Sequence, residues 1–178
     1  WMKNFEEDFY FHKPLQVVNT TRRPDWTSFE KKDAYAIQFF PEGGNMVEGI
    51  RSKLGFQVVD QYGKGTDATG YILENRKDTV ARFRPLKFGI GNFSFTPKKG
   101  SSYEAVTHLP GGDSLVSVLP VAEKTGFVLQ VAETGDGQLQ VHVAGDKSKE
   151  GRAVYLLAHT RGVLKFSSAK TLTDTTVH

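Results

Sequence analysis

From Tyr35 onward the chain alternates apolar and polar positions, and Gly, Pro, Asn and Asp interrupt the alternation at short intervals. A period of two puts successive side chains on opposite faces of an extended chain, so each run predicts a strand with one buried face. The runs are residues 35–40, 54–59, 70–74, 79–84, 92–96 and 102–106, then 125–131, 138–143, 153–158 and 163–167. Within 153–158 nearly every position is apolar, which predicts a strand buried on both faces. Turn chemistry separates the runs: Pro41-Glu42-Gly43-Gly44, Gly63-Lys64-Gly65, residues 75–78, Pro97-Lys98-Lys99-Gly100, residues 134–137 and Arg161-Gly162. Helical spacing never persists beyond two turns, and the pattern predicts an all-β protein.

Many short strands closed by frequent turns are the signature of a β-sandwich. There is also an internal echo. Phe40-Pro41-Glu42-Gly43-Gly44 resembles Leu109-Pro110-Gly111-Gly112, and Gly55-Phe56 resembles Gly126-Phe127, each pair roughly 70 residues apart. The echo predicts two tandem immunoglobulin-like β-sandwiches, over residues 35–107 and 108–178. Residues 1–34 break the pattern. Phe9, Tyr10 and Phe11 cluster, Pro14 blocks a helix, and residues 19–32 are polar around Trp26 and Phe29. This stretch reads as the tail of a preceding domain plus an extended linker. The chain begins at Trp1 with no basic n-region or apolar h-region, which suggests a piece of a longer protein. On the same reading the second sandwich is truncated. Its Thr- and Val-rich end, residues 171–178, then leaves a strand edge open to pair with a second copy.

Composition narrows the chemistry. The 178 residues contain no cysteine, which excludes disulfides, cysteine nucleophiles and thiolate-held metals. The net charge of +3 lies within residues 35–107 and forms no basic stripe. Arg82, Arg84, Lys87, Lys98 and Lys99 surround aromatic strands, as in single-strand nucleic-acid platforms. Arg82 and Arg84 alternate with Phe83, however, so they read as an outward polar face and no nucleic-acid partner is expected. No apolar run approaches the roughly 20 residues that cross a bilayer as a helix.

The remaining motifs read as structure. Gly89-x-Gly91 precedes a strand, whereas a phosphate loop needs a helix after it, so it reads as a turn or bulge. His12, His108, His142, His159 and His178 show no paired metal-ligand spacing, although His142 and His159 could meet a carboxylate across strands. There is no Gly-x-Ser-x-Gly elbow, and Gly112-Asp113-Ser114 reads as an ordinary turn. Asp67 and Asp136 stand nearly alone in their turns, too sparse for a calcium loop. No catalytic residue, cofactor or metal is expected.

Phe40, Pro41, Gly43 and Gly44, followed by Gly55-Phe56, resemble the opening of macroglobulin-type (MG2-like) domains. Gly89, Gly91, Phe93 and Phe95, then Gly100, Tyr103 and Ala105, resemble their central block. The resemblance is to the bacterial version, found in large Gram-negative envelope proteins, some with TonB-dependent-receptor plug segments. It implies a non-catalytic structural and protein-interaction module, periplasmic or outer-membrane-associated. Its partners would be other domains of the parent or envelope proteins. The thioester of true macroglobulins needs a cysteine this chain lacks. Two rivals follow. A carbohydrate-binding module would use exposed aromatics, with Trp26, Tyr62 and Tyr71 as the candidate ligand surface. A proteinase-binding segment would use a bait-like loop, for which residues 19–32, with Arg22, Arg23, Lys31 and Lys32, are the candidate.

Overall fold

Twelve strands carry the described chain: β1 (Tyr35–Pro41), β2 (Ser52–Asp60), β3 (Thr69–Glu74), β4 (Asp78–Phe83), β5 (Ile90–Phe95), β6 (Tyr103–His108), β7 (Ser114–Val118), β8 (Phe127–Glu133), β9 (Leu139–Gly145), β10 (Ala153–Thr160), β11 (Val163–Thr171) and β12 (Thr176–Val177). The structure is a computed structural model that describes residues 34–178 apart from Asp136, Asp174, Thr175 and His178. The readings placed on residues 1–33, Trp26 and the bait-like stretch among them, lie outside the described residues. The protein is all-β. Among the described residues the only helical element is a 3-10 turn, Lys147–Lys149, and no helix is long and apolar enough to cross a membrane.

Two antiparallel sheets, ordered β1-β2-β5 and β4-β3-β6-β7, enclose the main core. The alternation explains why. On β2 the side chains of Leu54, Phe56 and Val58 are buried, and their neighbours in sequence lie on the other face. They meet Ile72 of β3, Phe83 of β4, Phe93 and Phe95 of β5, and Tyr103 and Ala105 of β6. The Phe56 and Phe83 ring centroids lie 4.8 Å apart, and Phe83 and Phe93 lie 5.6 Å apart. Phe39 meets Phe83 and Phe93 edge-on, at 6.2 and 6.1 Å. Such offset and edge-to-face pairs add to plain area burial. Phe40, by contrast, points outward and is 52% exposed, so Phe39 is the core residue of that pair.

The glycine motifs mark turns. The Gly44 N–H donates to the Pro41 carbonyl at 3.0 Å, and Gly43 sits at φ 81°. A Cβ on Gly43 would lie 2.8 Å from Leu129 Cβ, so this glycine both turns the chain and lets β8 pack against it. Gly89 sits at φ 72° in a two-residue hairpin turn with Phe88, between the bridged residues Lys87 and Ile90. A Cβ on Gly89 would lie 2.2 Å from the Val58 carbonyl oxygen. Gly91 follows in β5, against the Phe56 ring.

Strand pairing runs across the position expected to divide the chain. The cut between residues 107 and 108 falls inside β6. This strand turns through Leu109–Asp113, with Leu109 N–H bonded to the Asp113 carbonyl, into a hairpin with β7 paired from Glu104↔Val118 to His108↔Ser114. Both copies of the Pro-Gly echo are therefore turns closed by the same type of bond, Gly44 to Pro41 and Gly112 to Leu109. Their likeness reflects shared turn chemistry. Residues 33–178 cluster as one compact unit. Within it, Glu48 N–H bonds the Glu123 carbonyl, Glu123 N–H bonds the Met46 carbonyl, and Val131 N–H bonds Glu42 Oε1 at 2.8 Å.

The chain's last five strands form a sheet ordered β12-β9-β8 and a separate ribbon, β10-β11. Asp146 anchors the link between them by accepting from the Gly126 and Ser148 amides at 2.7 and 2.9 Å. Val128 and Leu172 are buried here. The tail pairs on its inner side, with Thr176↔Ala144 and Val177↔Val143, and β12 stands at the edge of the β12-β9-β8 sheet.

Candidate interaction surfaces

Among the described residues the β10-β11 ribbon pairs only with itself. Its arms run from Ala153↔Thr171 to Thr160↔Val163 around an Arg161-Gly162 turn with φ 50° and 78°. The near-continuous apolar run that predicts a strand buried on both faces is half-buried on one face, at Val154 and Leu156, and exposed on the other. Tyr155 is 74% exposed and Leu157 64%. The physical reason is topology. Among the described residues this two-stranded ribbon has no flanking strand and no second sheet over its outer face. On the side facing β9, Val154, Leu156 and Phe166 line an apolar cleft of about 300 Å³ with Leu139, Val141 and Val143. Exposed apolar area of this extent is characteristic of surfaces that bind other chains. The unpaired backbone groups along both ribbon edges offer hydrogen bonds to an incoming strand.

A second surface lies on the outward side of the four-stranded sheet. Tyr71 stands opposite Arg82 in register, and Thr69 stands opposite His108. The Tyr71 and His108 rings lie 5.7 Å apart, and His108 Nδ1 is 2.9 Å from Ser114 Oγ. Thr69, Tyr71, Arg82, Arg84 and His108 line an open groove of about 450 Å³. Arg82 and Arg84 point outward as their alternation with Phe83 predicts. Among the described residues neither has a carboxylate partner.

The other sequence candidates fall apart in space. Tyr62 sits in the turn after β2, in the three-stranded sheet, whereas Tyr71 is on the four-stranded sheet, so the two do not share a strand face. His142 is on β9 and His159 on the ribbon, and among the described residues no group of three or more His, Asp or Glu is placed to hold a metal ion. Lys98, read as part of a basic cluster, is committed to an ion pair with Glu74. Glu74 is only 4% exposed, and Tyr103 donates to it at 3.0 Å while accepting from the Lys98 amide at 2.7 Å. The Lys98 ammonium holds the Glu74 carboxyl below the usual range, with a further contribution from the Tyr103 hydroxyl and against the opposing effect of burial. Burial pushes the Tyr103 phenol up. This trio is a structural clasp at the edge of the core that no sequence motif announces. No family model, curated protein or solved structure matches this chain.

Proposed function

We propose that this protein is a non-catalytic interaction module that docks a partner polypeptide on its β10-β11 ribbon. The observation that carries this reading is a ribbon whose edges are unpaired among the described residues and whose outer face presents Tyr155 and Leu157 to solvent. An isolated two-stranded hairpin is at best marginally stable in water. A partner strand added along one edge would supply the missing ladder and cover the apolar face. The resemblance to bacterial macroglobulin-like repeats carries the reading further, to a docking or spacer module within a large exported envelope protein.

The test is position-specific photo-crosslinking in cells producing the protein. A photoreactive phenylalanine analogue at Tyr155 should give one discrete adduct. The same analogue at Ala132, an exposed β8 position, should give none. Leu157→Lys should remove the Tyr155 adduct. No discrete adduct at Tyr155, or an adduct indifferent to Leu157→Lys, would overturn the assignment.

A further inference from the structure

One end of the main sandwich carries a different surface, formed by the connection from β4 in one sheet to β5 in the other. This connection turns through Phe88 at φ 55° and Gly89 at φ 72°. A bulky residue rarely adopts that backbone region. Phe88 gains no burial in return, since it is 71% exposed. Leu86 and Ile90 beside it are 80% and 51% exposed. The turn is nonetheless firmly held. Leu86 N–H bonds the Ile90 carbonyl at 2.8 Å, and Ile90 N–H bonds the Lys87 carbonyl at 3.0 Å. The backbone of Gly65 packs so closely beneath it that a Cβ there would fall 1.9 Å from the Phe88 carbonyl oxygen. Strain that persists without a packing return is the kind found at functional positions.

The charges on this segment are positive. Arg84 precedes the tip, and Lys87 sits within it with its ammonium 4.8 Å from the Phe88 ring centroid. Arg82 and Arg84 line the groove described above, which opens at the same end of β4. Residues 79–96 themselves carry no acid. The acids on neighbouring turns, Asp60, whose carboxylate accepts from the Tyr62 and Lys64 amides at 2.8 and 3.0 Å, and the exposed Asp67 and Asp113, lie outside this segment.

We propose that this end of the sandwich docks on a membrane surface that contains anionic phospholipids. Leu86, Phe88 and Ile90 enter the boundary between headgroups and acyl chains, and Arg82 and Arg84 take headgroup phosphates. The geometry favours this occupant over a protein groove. The apolar side chains protrude from a convex tip, and a cation lies next to each of the first two in sequence. A bilayer interface presents that combination of apolar depth and negative charge without needing a shaped pocket.

The test is sedimentation of the intact chain with vesicles of phosphatidylcholine alone or mixed with phosphatidylglycerol. The chain should pellet with the mixed vesicles, remain in solution with the neutral ones, and be released by salt. Phe88→Asn removes the apolar group while suiting the positive φ, so the fold and its melting temperature should be retained. It should weaken vesicle binding by about tenfold or more. Arg82→Gln and Arg84→Gln should each weaken it about fivefold. Failure of the wild-type chain to pellet, or equal binding to both vesicle types, would sink the proposal. So would undiminished binding by Phe88→Asn, which would mean surface adsorption by charge alone. Full competition by soluble glycerol 3-phosphate would instead assign the arginines to a free anion.

Discussion

The Thr107 side chain is fully buried on β6, and among the described residues its hydroxyl has no hydrogen-bond partner. A buried hydroxyl without a partner keeps its desolvation cost and returns nothing. Thr107→Val keeps the branched shape and removes that cost. We expect it to raise stability by up to about 1 kcal/mol, or roughly 2–4 °C in Tm for a chain of this size. A lower Tm in thermal unfolding would show that the hydroxyl is bonded after all. Some residue-level features were readable from the sequence. Alternation alone put Phe93 and Phe95 on one buried face, 6% and 4% exposed. Other features were not. Phe39 and Phe40 are adjacent and chemically identical, and only the register against β2, Phe39↔Phe56 and Phe40↔Gly55, sends one inward and the other out. The strained Phe88 was equally hidden, because a phenylalanine beside a glycine carries no sign of which of them turns the chain.

Elements were more legible than their surroundings. The first six strands appear where the alternation puts them, because each has one face on a shared core. β7 was missed because it begins straight after Gly111-Gly112-Asp113, and the turn masked the short Ser114–Val118 run behind it. The 153–158 run was found as a strand, but its burial was misjudged. Continuous apolar sequence is the mark of a covered strand, and among the described residues no element covers β10 or β11 on their outer face. That difference has a dynamic consequence. Local stability follows buried apolar contact, so the ribbon belongs at the low end of the range. Its amides should exchange at least about 100-fold faster than those of β2, β3 and β6 in native-state hydrogen exchange. Equal protection across all five strands would mean that the ribbon unfolds only with the main core.

At the scale of the whole molecule, the clasp at Glu74 and the anchor at Asp146 tie stability to pH in both directions. The Glu74 carboxyl is held low chiefly by Lys98, and the Asp146 carboxyl chiefly by the Ser148 hydroxyl and the Gly126 amide. A carboxyl with a lower pKa folded than unfolded contributes stability that is present above the unfolded pKa. That contribution is lost as pH falls through the folded pKa. Lys98 and Tyr103 are shifted the other way, Lys98 by its bond to Glu74 and Tyr103 by burial. Their contribution is complete below the unfolded pKa and is lost as pH rises through the folded one. Tm should therefore hold level through neutral pH, fall below about pH 4, and fall again above about pH 10. Tyr103→Phe separates the clasp from general charge effects. It leaves the Lys98 amide without its acceptor and Glu74 Oε1 without the Tyr103 donor, a cost of about 1–3 kcal/mol at neutral pH. It also removes one of the two groups that titrate on the alkaline side, so the decline above pH 10 should be shallower than in the wild-type chain. Thermal melts of both proteins across the full pH range read this directly. Parallel alkaline declines would mean that Tyr103 is not the residue through which high pH loosens the sandwich.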